Sequence, residues 1–133
     1  MVLFSATVLV NTTVASDISE LNRSRSEYIK AVNEHDAAKA TAAFAPTGDW
    51  LSVDGVVSRG KPEIKAAYLS LFQHHPKLTL RLTPTLSRFL SSTVAIEDGK
   101  FQFGNGPSRS EGQYIAVQDE GKWLVVSVCN FPQ

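Results

Sequence analysis

The sequence predicts an α+β fold, with three N-terminal helices packed on a strongly curved antiparallel sheet that forms a cone around an internal pocket. Three observations carry this. Apolar residues recur at helical spacing in two segments of the N-terminal half, around residues 18–32 and 64–72. Between them, Gly48 to Gly60 reads GDWLSVDGVVSRG, where the Asp54-Gly55 pair between alternating apolar residues is a strong hairpin signal. From Lys77 onward the period falls to two, with Leu78, Leu80 and Leu82 alternating with Thr79, Arg81 and Thr83. Helices followed by a meander of strands is the α+β layout, and a bent sheet wrapped over a helix leaves a hollow where a ligand is expected.

Each element has its own signal. Ser16-Asp17 with Glu20 reads as a helix start, followed by a face made of Ile18, Leu21, Arg25, Tyr28 and Val32, apolar except for Arg25. Ile29 widens that face. The polar run Asn33-Glu34-His35-Asp36 breaks the helix, and Asp36 caps a short second helix, Ala37 to Phe44, ended by Pro46 and Gly48. After the hairpin, Pro62 sits in the first turn of a third helix whose buried face is Ile64, Ala67, Tyr68, Leu71 and Phe72. His74-His75-Pro76 ends it. Pro84 marks a bulge inside the next strand, which resumes through Leu86 to Leu90. Thr93 to Asp98 and Phe101 to Phe103 read as two strands joined by a turn at Gly99-Lys100, and Gly104-Asn105-Gly106-Pro107 as an exposed loop. Glu111 to Gln118 and Lys122 to Phe131 are strands joined by a turn at Asp119-Glu120-Gly121. On the last strand strict alternation groups Trp123, Val125, Ser127, Cys129 and Phe131 on one face, and Leu124, Val126, Val128 and Asn130 on the other. Both faces are largely apolar, so both need cover.

A chain of 133 residues is most simply one domain with a core of its own. Thirteen basic and thirteen acidic side chains cancel, and no run of Lys or Arg marks a nucleic-acid surface. The single cysteine, Cys129, excludes an internal disulfide and a cysteine-based zinc site, and reads as a small core residue. His35, His74 and His75 have no metal-ligand spacing, and no phosphate-binding glycine loop occurs, so neither a metal nor a cofactor is expected. Residues 1–15 are uncharged, shorter than the roughly 20 apolar residues of a membrane span. They read as an apolar strand or arm packed on the sheet or on a partner subunit, with the remnant of an export signal as the alternative. The domain proper is then 16–133, with a cytoplasmic location favoured unless residues 1–15 are such a signal.

Several motifs together resemble a family. Tyr28-Ile29-Lys30-Ala31-Val32-Asn33-Glu34-His35-Asp36, Phe44-Ala45, Asp49-Trp50-Leu51-Ser52-Val53-Asp54-Gly55, Arg59-Gly60 and Ile64 are similar to the nuclear transport factor 2-like (cystatin-like) superfamily. So are Phe89-Leu90, Val94 to Gly99, Gly121-Lys122-Trp123-Leu124 and Asn130. The resemblance runs from about residue 17 to residue 131 and is greatest to the SnoaL-like branch, mostly small bacterial proteins. It implies the cone fold, a pocket, and a homodimer formed through the outer face of the sheet. It does not imply one activity, because the superfamily holds ketosteroid isomerases, polyketide cyclases, dehydratases, kinase association domains and binders without chemistry. In the isomerase pattern Tyr28 matches one oxyanion donor and Tyr114 the other, while Ser52 stands where the general-base aspartate belongs. A serine without an adjacent base cannot move that proton.

The candidate site is therefore a pocket wall of Tyr28, Trp50, Ser52, Tyr68, Phe72 and Tyr114, each of which is alternatively core packing. Glu97 and Asp54 are the candidate acid–base carboxylates. Asp54 is alternatively a turn residue. Glu97 sits mid-strand on the face of Ala95; it is either a carboxylate in an apolar hollow or the partner of Arg81, Arg88 or Arg109 across the sheet. The expected partner is a small apolar or aromatic molecule, bound without chemistry. The alternatives are an isomerase, cyclase or dehydratase using Glu97 or Asp54 with Tyr28 and Tyr114, and an association module.

Overall fold

The computed structural model describes residues 3–52, 54–104 and 110–132. Three helices, α1 (Leu3–Asn33), α2 (Ala37–Ala42) and α3 (Gly60–His74), pack on a six-stranded sheet. The strands are β1 (Phe44–Leu51), β2 (Val57–Arg59), β3 (Thr79–Phe89), β4 (Val94–Gly104), β5 (Ser110–Asp119) and β6 (Lys122–Pro132). Their order in the sheet is β2-β1-β6-β5-β4-β3. The pairings are antiparallel except β1 with β6, which is parallel, so the curved sheet is mixed. Helix α1 lies over β3 and β6, and α3 lies over β1 and β2.

The first helix begins at Leu3, not at Ser16. No Gly or Pro interrupts residues 3–33, so the helix runs through the expected cap, and residues 3–15 are helix, not strand. Asp36 does cap α2, accepting from the Lys39 backbone N–H at 3.0 Å. That helix stops at Ala42 and the chain is already strand at Phe44, so Pro46 and Gly48 lie inside β1. Gly48 is there because β6 comes close: a Cβ would stand 2.9 Å from the Val125 carbonyl oxygen. Asp54-Gly55 turns β1 into β2, with Trp50 opposite Ser58.

Pro84 marks a bulge, the register slipping between Pro84 and Leu86 while β3 continues to Phe89. The expected turn at Gly99-Lys100 is absent; β4 runs straight through, with Gly99 paired to Pro84 on one side and Gly112 on the other. The loop expected at Gly104 to Pro107 lies, beyond Gly104, outside the described residues.

A second bulge reverses the predicted faces of β6. Ile115 pairs with Ser127 but Ala116 pairs with Val125, which leaves Val126 as an extra residue. The alternation changes parity there. Trp123, Val125, Val128 and Asn130 face inward, and Leu124, Ser127, Cys129 and Phe131 face outward. Cys129 is consequently half-buried on the outer face, not in the core.

Candidate functional site

One inward row crosses all six strands: Ser87, Glu97, Tyr114, Val128, Trp50 and Ser58 are successive neighbours in the sheet. Its two halves differ in chemistry because different helices cover them.

Under α3 the row meets aromatic rings. Trp50 stacks on Tyr68 at 4.9 Å, and Tyr68 on Phe72 at 5.8 Å. Phe72 in turn lies on the His35 ring at 4.7 Å. The hydroxyls of Tyr28 and Tyr68 are 2.6 Å apart, joining α1 to α3. Burial pushes the Tyr28 phenol up to about 12, the hydrogen bond to Tyr68 opposing it, and pushes Tyr68 well above its ordinary value.

Under α1 the row is polar. Glu97 is fully buried. Arg25 grips it with two bonds, Nε to Oε1 at 2.6 Å and Nη2 to Oε2 at 2.7 Å. Ser87 Oγ donates to Oε2 at 2.5 Å, and the Tyr114 hydroxyl donates to Oε1. Arg25 Nη2 also reaches Asn22 Oδ1 at 2.9 Å. Burial works against the Arg25 charge, but the bonds to Glu97 and Tyr114 outweigh it and hold the guanidinium above its ordinary value. Burial and the adjacent carboxylate push the Tyr114 phenol upward.

Between α1 and the sheet lies a cavity of about 40 Å³. Leu21, Phe44, Leu82, Phe101, Val125 and Val128 give it an apolar wall, and Ser24, Arg25, Tyr28, Tyr114 and Trp123 are among the other residues that line it. Ligand pockets for drug-sized molecules run to about 300–1,000 Å³, so this one admits only a small group as it stands.

Of the residues singled out in the sequence, Tyr28 and Tyr114 line this cavity together. Glu97 sits behind its wall, reached through Arg25 and Tyr114. Trp50, Tyr68 and Phe72 form the neighbouring aromatic stack, outside the lining. Ser52 is in the β1–β2 turn, where its Oγ accepts from the Val56 N–H at 3.2 Å, and Asp54 is exposed in the same turn. Neither meets the cavity. The ion pair foreseen for Glu97 exists, but its partner is Arg25 on α1; Arg88 stands instead 3.9 Å from Asp98. Arg25, Ser87, Leu21, Phe101 and Trp123 were not singled out. Arg25 alone had a readable signal, as the one charge in the apolar stripe of its helix.

No protein-family model and no curated protein sequence matches the chain. Solved structures do. A domain of unknown function with a cystatin-like fold from Nostoc punctiforme superposes with a TM-score of 0.78 at 19% identity, over 88% of this chain and 77% of that one. The chain has a cystatin-like fold. Other neighbours carry different descriptions. A ketosteroid isomerase-like protein from Erwinia carotovora atroseptica matches with a TM-score of 0.71 at 15% identity, over 85% of this chain and 93% of that one. A putative calcium/calmodulin dependent protein kinase II association domain from Xanthomonas campestris matches at 0.67 and 20% identity, over 80% of each chain. At these identities the likeness is one of fold, and at that level it agrees with the nuclear transport factor 2-like resemblance of the sequence. Among the described residues no helix is long and apolar enough to cross a membrane.

Proposed function

We propose that this cystatin-like chain binds a small, largely apolar molecule in the cavity between α1 and the sheet, without acid–base chemistry at Glu97. One observation carries the reading. An ionised carboxylate offers about four acceptor sites. Glu97 receives four donors, Arg25 Nε, Arg25 Nη2, Ser87 Oγ and the Tyr114 hydroxyl. A general base must place a free lone pair within about 3 Å of the proton it takes. Glu97 has none to spare, and Asp54 points from a solvent-exposed turn. Tyr28 is likewise committed to Tyr68. The site is built to be held still.

The outer face of the sheet favours self-association. Val57, Leu86 and Phe131 are 45%, 50% and 52% exposed there. Ile96, Ile115 and Val117 lie half-buried between them. An apolar sheet face needs cover, and a second copy of the chain supplies it symmetrically. An association domain among the neighbours of the fold is in keeping with this.

Native mass spectrometry of the purified protein, before and after denaturation, tests both statements. A dimer that releases a small organic mass on denaturation is expected. A larger ring carrying no adduct would sink the small-molecule reading and make assembly the better account.

A further inference from the structure

A second hollow lies directly outside the first. It has a volume of about 430 Å³ and opens between α1, α2 and the start of β6. Ser24, Tyr28, Ala43 and Trp123 line both, so the two spaces share a wall. Their chemistry is opposite. The inner cavity is apolar, whereas the outer groove is bordered by four cations, Arg23, Lys30, Lys39 and Lys122, and two carboxylates, Glu27 and Glu34. The carboxylates are engaged: Glu27 stands 3.6 Å from Arg23 and Glu34 stands 3.9 Å from Lys30. Lys39 leans on Asp36 at 3.9 Å. Among the described residues Lys122 makes no ion pair. The shared wall also holds an unmet donor, since the indole N–H of Trp123 is buried without an acceptor. A buried unpaired donor is costly, so this wall, closed to solvent, has a hydrogen bond left to make.

From this juxtaposition we infer that the ligand is an amphiphilic monocarboxylate. Its acid group sits in the outer groove beside Lys122 and Lys39, and a short apolar tail passes the Trp123 wall into the inner cavity. The volumes set the proportions: most of the molecule lies outside, and only a few carbons reach in. The inference rests on the inner cavity being a ligand site, as proposed above, and adds the charge and the route of entry.

The test compares hexanoate with 1-hexanol, which share a tail and differ in charge. Trp123 is one of two tryptophans. In a Trp50→Phe variant its fluorescence reports the shared wall, and calorimetry on the unsubstituted chain gives the same affinities should that variant fold poorly. Hexanoate should bind saturably and more tightly than 1-hexanol, and lose affinity as salt is raised. Lys122→Gln should weaken hexanoate about threefold and Lys122→Glu about tenfold, as expected for an exposed charge pair and its reversal. Neither should change 1-hexanol. If both probes bind equally and the Lys122 variants change neither, the carboxylate assignment is overturned while the apolar cavity stands. If neither probe binds, both readings fall.

Discussion

Replacing Arg25 with methionine should destabilise the protein by about 3–5 kcal/mol, the usual cost of leaving one member of a buried ion pair alone. The structure explains why the cost falls at the upper end of single substitutions. Glu97 is fully buried and would lose both guanidinium bonds, of 2.6 and 2.7 Å, keeping only those from Ser87 and Tyr114. Methionine fills much of the volume of the arginine stem, so little of the effect is packing. For a domain of this size, each kcal/mol is about 3–5 °C in Tm, giving a fall of roughly 10–25 °C. Glu97→Gln should cost less, about 1–3 kcal/mol. It leaves Arg25, which borders the cavity and keeps 12% of its side chain exposed, where water can reach it. The order of the two variants is thus set by where each orphaned charge would sit. Urea unfolding of both singles and the double variant checks this, and the double should show a coupling of about 2 kcal/mol or more. A loss below about 1 kcal/mol for Arg25→Met, or strict additivity, would refute the description of a closed, mutually dependent pair.

Three further outcomes are expected. Stability should decline above pH 10. Tyr28 titrates near 12 in the folded chain and near 10 unfolded, so its contribution is complete below 10 and is lost as pH rises through 12. That contribution is on the order of 2–3 kcal/mol, and Tyr28→Phe should flatten the decline measured by denaturant midpoints between pH 8 and 11. Gly112→Ala should cost about 1–3 kcal/mol, because the new Cβ would stand 2.5 Å from the Phe101 ring and push it toward the cavity, which thermal unfolding and hexanol binding would both register. Val126→Ala should be nearly neutral, within about 1 kcal/mol, whereas deleting Val126 should abolish cooperative unfolding, since it would turn one half of β6 inside out.

The legible parts of this fold are those written in short-range chemistry. Asp54-Gly55 announces its turn, Asp36 its cap and Pro84 its bulge, because each needs only its neighbours to act. The apolar stripe of α1 is equally plain, and so is its one exception, Arg25, although a lone charge in a stripe does not by itself name the group it pairs with. What strict periodicity could not supply is the partner across space. Glu97 was read against the arginines of its own sheet, although the partner came from 72 residues earlier on a helix. Val126 carries no local sign of being a bulge, yet it decides which half of β6 reaches the cavity. Gly48 and Gly99 were read as punctuation. In the structure they mark close approach and an unbroken strand, roles visible only once β6 and β3 lie beside them.

The placement of β6 has a consequence for how the chain can fold. It comes last among the strands in sequence but third in the sheet, between β1 and β5. Until it arrives, the β1–β2 hairpin with α3 and the β3–β4–β5 meander are two rafts without a common edge. A growing chain can therefore prepare both rafts, but cannot join them into one sheet until β6 has emerged from the ribosome. Joining them is a pairing between distant parts of the chain, the slow kind of step. In the interval both sides of the gap present bare strand edges, where a wrong partner could dock.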